Sequence, residues 1–137
     1  MNLSLFDAFG RFGARPTNRV RALSAIAADG AVVLNCANSC FGHPSRGVLR
    51  YEDTLSRENG ESKDAQLLRQ HLELARDGTL PVRMIVMSLT VAGGGKSVRA
   101  FHVRPDLVGK LVEFDGDHFI IDFTRTEVLQ KVRGRQG

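Results

Sequence analysis

The residues closest to a known phosphate-binding arrangement are Ala92-Gly-Gly-Gly-Lys96-Ser97. A phosphate loop requires a further glycine five residues before Gly95, and Thr90 stands there. It also requires a helix to begin at the Lys-Ser pair, so that helix N-terminal amides face the phosphate. Here Val98 to Arg104 reads as a strand, so the glycines are expected to form a flexible connection between two strands. Cys36, Cys40 and His43 form C-x3-C-x2-H, but a zinc site needs three or four ligands. The remaining histidines, His71, His102 and His118, stand singly along the chain. The residues therefore predict no metal and no cofactor, and Cys36 reads as a small buried apolar residue at a strand end.

A metal-dependent phosphodiesterase would gather carboxylates around its ion, with a nearby lysine to position water. Among Asp106, Glu113, Asp115, Asp117 and Asp122, the nearest match is Asp122-Phe-Thr-Arg125, where the base is one residue too far and is arginine. Asp115-Gly116 is a strong two-residue hairpin signal. A turn there places Phe114 opposite Asp117, Glu113 opposite His118, Val112 opposite Phe119 and Leu111 opposite Ile120. Glu113, His118 and Asp122 then share one face, a candidate acid/base group whose ordinary reading is a cross-strand surface ion pair. A second candidate is the polar loop after a buried strand, with Asn35, Asn38, Ser39, Cys40 and His43, since sites often occupy such loops. His71 falls on the border of a helical apolar stripe.

These groups must be positioned by a chain of 137 residues, 42% apolar and 25% charged, which suits one globular domain over 1–137. No apolar run approaches the roughly 18–20 residues of a membrane span, and the start lacks signal-peptide character. The reading is a soluble, cytoplasmic protein with reduced thiols. The net charge of +4 is unevenly placed. Residues 1–27 carry four arginines and one acid, and 125–137 carry Arg125, Lys131, Arg133 and Arg135 against Glu127, whereas the middle is slightly acidic.

Periodicity supplies the elements. Ser4 caps a short helix with Leu5, Phe6, Phe9 and Phe12 on one side. Thr17 caps a second, with Val20, Leu23, Ile26 and Ala27 inward and Gly30 as its stop. Strands are expected at 31–36, 48–52, 82–90, 98–104, 107–114 and 118–123, with a central helix over 62–77. Thr124 to Glu127 is a capping box opening a C-terminal helix. The expected fold is α+β, a mixed or mostly antiparallel sheet of about five to six strands. A helical basic segment (1–28) precedes it, and a short C-terminal helix with a basic tail (125–137) follows.

No motif in the chain names a reaction. The sequence favours a small non-enzymatic binding module with nucleic acid as partner, through Arg15, Arg19, Lys131, Arg133 and Arg135. One alternative is a small enzyme using the Asn35–His43 loop. The other is a self-associating protein that covers Leu5, Phe6, Phe9 and Phe12 with a partner.

Overall fold

The computed structural model describes residues 3–58, 61–91, 94–95 and 97–126. Ser4 opens α1 (Leu5–Gly10), its hydroxyl accepting from the Asp7 amide at 3.0 Å, which satisfies one of the orphan donors of the first turn. The chain then forms β1 (Ser24–Ile26), β2 (Val32–Ala37), a 3-10 turn (Asn38–Cys40), β3 (Phe41–Ser45) and β4 (Val48–Thr54). After a second 3-10 turn (Leu55–Glu58) comes α2 (Lys63–Gly78), capped by Ser62. Four strands follow: β5 (Val82–Val91), β6 (Ser97–Val103), β7 (Leu107–Phe114) and β8 (His118–Arg125).

The expected α+β arrangement of five to six strands with three helical segments is not what forms. Eight strands make one mixed sheet, and among the described residues α2 is the only helix longer than two turns. The helix expected from Thr17 to Ala27 is replaced by a turn and β1. The Asn18 side-chain oxygen accepts from the Val20 and Arg21 amides, 3.1 Å each, and Val20, first residue of the supposed apolar stripe, is 69% exposed. What ends β1 is Asp29-Gly30. Gly30 adopts φ +90°, Asp29 accepts from the Ala31 amide at 3.0 Å, and Ala27 N donates to Ala31 O at 2.9 Å. Asp-Gly is hairpin chemistry, so Gly30 turns a strand pair and does not stop a helix.

Two further corrections concern β3 and β8. The polar stretch 35–47 contains β3, an edge strand that is mostly exposed and tolerates Pro44 because one side of it needs no ladder. Thr124 and Arg125 do not open a helix. They complete β8, opposite Val108 and Leu107, because the inward alternation Phe119, Ile121, Phe123 continues by one step. Thr126, just past β8, is helical, and the rest of the expected C-terminal helix, 127–137, lies outside the described residues, as do residues 92, 93 and 96 of the glycine connection. Ser97 begins a strand.

The sheet runs β1-β2-β5-β7-β8-β4-β3, with β6 also on β5 and only the β2–β5 pair parallel. It curls until β4 reaches the end of β2, where the Tyr51 hydroxyl accepts from the Ala37 amide at 3.0 Å. The result is an incompletely closed barrel. Val32, Leu34, Met84, Tyr51, Ile121 and Phe123 fill its interior. Leu68, Leu72 and Ala75 of α2 join that core beside Leu55 and Phe119, so the helix stoppers one end. A second apolar cluster lies on the outer face, where Leu5, Ala8 and Phe9 of α1 meet Val33 and Ile85.

Candidate functional site

The Asn35–His43 loop is divided by the fold. Asn35 lies on β2, donating to Ala22 O at 3.3 Å, with its own side-chain oxygen buried and without a protein partner. Cys36 is fully buried, and burial pushes its thiol well above the ordinary range. Cys40 faces a shallow depression with Arg50 and Glu52. Asn38 reaches a different cleft, and His43 stands between the two, lining both. Among the described residues no three His, Cys, Asp or Glu side chains are placed to hold a metal.

Glu113, His118 and Asp122 do share the outer face of β7 and β8, but in another register. Phe114 pairs with Phe119 and Glu113 with Ile120, because Asp115 builds a longer turn, and a bulge between Leu111 and Glu113 then shifts the register again, to Leu111 opposite Ile121. Its carboxylate accepts from the amides of Asp117 (2.9 Å) and His118 (2.7 Å), an Asx turn that lengthens the loop. His118 Nε2 is 2.5 Å from Glu52 on β4, and its Nδ1 is 3.4 Å from Glu113. Asp122 is instead taken by Arg50 in a bidentate pair at 2.7 and 2.9 Å. This face is a set of mutually satisfied cross-strand pairs.

Of the expected basic footprint, only Arg15 and Arg19 lie among the described residues. Arg15 is exposed, and Arg19 lies over the Phe6 ring, 4.2 Å from its centroid. Lys131, Arg133 and Arg135 lie outside the described residues. The N-terminal apolar face is covered within the chain itself, since Leu5 and Phe9 are buried and Phe12 packs against the outer cluster beneath Arg83.

The barrel end opposite α2 has a cleft of about 470 Å³. Its floor consists of inward residues from four strands, Leu49, Val86, Leu107 and Phe123, with Phe41 on the edge strand. The Phe123 ring lies directly over Gly109, where a Cβ would stand 2.5 Å from ring carbon Cε1, so only glycine fits beneath it. Below the floor are Ile121 and Tyr51, both fully buried. The cleft is therefore closed beneath. Its rim carries Asn38, His43, Arg104 and Arg125. Arg104 grips Asp106 in a bidentate pair, 3.0 and 2.9 Å. The Arg104 hydrogen bonds, with a smaller contribution from Arg125, hold the Asp106 carboxyl below its usual range. The Arg125 side chain makes no hydrogen bond among the described residues, and Arg46 stands in the neighbouring β3–β4 turn.

Arg104 and Arg125 are the functional candidates that sequence reading missed as a pair. They are 21 residues apart in sequence and meet because β7 and β8 fold back with Leu107 opposite Arg125. The available signal was alternation, since 119, 121, 123 and 125 form one inward row. No helix among the described residues is long and apolar enough to cross a membrane. No protein-family model, curated protein or solved structure matches the chain.

Proposed function

We propose that this chain is a small non-enzymatic binding module that holds a single nucleic-acid strand at the mouth of its barrel. The observation that carries this reading is the cleft itself, an apolar and aromatic floor under a rim with two guanidinium groups. Small-ligand pockets span roughly 300–1,000 Å³ and often occupy barrel mouths. Guanidinium groups suit phosphate oxygens, and aromatic faces suit unpaired bases of any sequence. The acid–base candidates support a binding role by their position. His118 with Glu52 and Glu113 lies on the outer wall, and the Ser24–His71 pair is buried between β1 and α2. Neither lines the cleft, where His43 of the polar loop is the one histidine on the rim among the described residues.

The test is fluorescence polarisation with a labelled random-sequence single strand and its duplex, over a series of salt concentrations. The expected result is tighter binding of the single strand, weakening as salt rises. Replacing both Arg104 and Arg125 with alanine should lower the log–log salt slope by about 0.7 if they share one phosphate and about 1.4 if each holds its own, at roughly 0.7 per phosphate on single strands. A melting curve verifies that the variant is folded. No binding at low salt, or an unchanged slope in the folded variant, overturns the proposal.

A further inference from the structure

We infer that the cleft takes a phosphomonoester-bearing nucleotide, with its base on the apolar floor and its phosphate between Arg104 and Arg125. This rests on the binding reading above and specifies which part of a strand enters. The first argument is shape. The cleft is closed beneath by Phe123 packed on Gly109 and by the fully buried Tyr51 and Ile121, so a base that enters comes to rest on the floor. A cleft of about 470 Å³ is of a size to hold one small unit such as a nucleotide. Duplex ends are too wide for a cleft of about 470 Å³, so the entering unit is unpaired.

The second argument is charge. An internal phosphodiester carries one negative charge, and a phosphomonoester carries about −1.5 to −2 at neutral pH, with one more oxygen free to accept hydrogen bonds. The rim offers two guanidinium groups with one carboxylate, Asp106, already seated on Arg104. That carboxylate occupies the planar fork of Arg104 in the bidentate manner a phosphate would use. Arg104 and Asp106 are both substantially solvent-exposed, at 44% and 39%, so Asp106 is free to swing aside. An incoming dianion then meets both arginines. A monoanionic diester gains less from the exchange, because it replaces one negative charge by another.

The third argument is the floor and its flank. Phe41 lies at the cleft edge with its ring 5.0 Å from Tyr51 and a tilt of 53°, which holds it in place as a platform. Asn38 on the rim offers both a donor and an acceptor to a base edge.

The experiment compares one short single strand in three forms, 5′-phosphorylated, 3′-phosphorylated and unphosphorylated, with adenosine monophosphate and inorganic phosphate as competitors. The expected result is that one phosphorylated end binds at least about tenfold tighter than the unphosphorylated strand, a difference of about 1.4 kcal/mol. Which end wins gives the strand polarity. Competition by the mononucleotide but not by inorganic phosphate shows that the base shares the site. Asp106→Asn should increase the preference for the phosphorylated end, and Arg125→Gln should abolish it while the strand still binds. Equal affinity for all three strands overturns this inference but leaves the binding module standing. Absence of binding by every strand removes the reading on which it rests. A loss of end preference in Asp106→Asn would assign Asp106 to orienting Arg104 and overturn the exchange described here.

Discussion

Two histidines in this fold are pushed in opposite directions, and the sign follows from their surroundings. His118 is held above its ordinary 6.5 mainly by the hydrogen bond to Glu52, with Glu113 and Asp115 adding charge. The folded chain therefore binds this proton more tightly than the unfolded chain does. Its contribution to stability is complete below pH 6.5 and fades as pH rises through the raised folded value. His71 is 8% exposed and is pushed below 6.5 by burial, while its Nδ1 stands 2.7 Å from the Ser24 hydroxyl. Its contribution is intact above pH 6.5 and is lost as pH falls through 6.5 toward the depressed folded value. Ring titration by NMR should thus find His118 above and His71 below 6.5, with Glu52→Gln moving His118 back down. The reverse order would refute both placements. Gly109 offers a sharper steric test. A Cβ there would lie 2.5 and 2.7 Å from Phe123 ring carbons and 2.9 Å from an Ile121 methyl. Gly109→Ala should cost roughly 1–3 kcal/mol by overpacking, read as a lowered urea midpoint, and should weaken binding at the cleft by displacing its floor.

At the scale of elements, legibility followed how much of the signal was local. α2 was readable because Ala65, Leu68, Leu72 and Ala75 recur at helical spacing between Ser62 and Gly78. Leu72 is fully buried in the main core, so Leu72→Ala should cost about 2–5 kcal/mol. A loss under about 1 kcal/mol would show that α2 does not fill the barrel end. β5, β7 and β8 were readable from apolar runs and from the Asp115-Gly116 turn. β1 was not, because Ala22, Ala25 and Ala27 suit either a helix or a strand and the partner strand decides. The Asp29-Gly30 turn was the missed cue. Gly30 holds φ +90°, so Gly30→Ala should destabilise by roughly 1–3 kcal/mol through backbone strain alone, since the added methyl would stand in open space. β3 was unreadable for a different reason. Its exposed edge position imposes no apolar alternation, and only its pairing with β4, Phe41 opposite Tyr51, makes it a strand.

At the scale of the molecule, the asymmetric charge was legible and its geometry was not. The excess lies at 1–27 and 125–137, but only the fold shows that β8 delivers Arg125 to the cleft, beside Arg104 from the β6–β7 corner. The N-terminal arginines are differently used. Arg19 stacks on Phe6, so part of that charge secures α1 against the sheet, as Arg83 of β5 does by stacking on Phe12. This separates the two basic ends by experiment. Lys131, Arg133 and Arg135 follow Arg125 in sequence, and their share in binding is read separately. Replacing these three with glutamine should lower the salt slope by about 2, at roughly 0.7 for each phosphate left without its cation. The preference for a phosphorylated end should survive, because it belongs to Arg104 and Arg125. Arg15→Gln with Arg19→Gln should change the slope by less than half as much. If the order is reversed, with the N-terminal pair dominating, the strand lies along the α1 face of the sheet and the cleft is not its anchor.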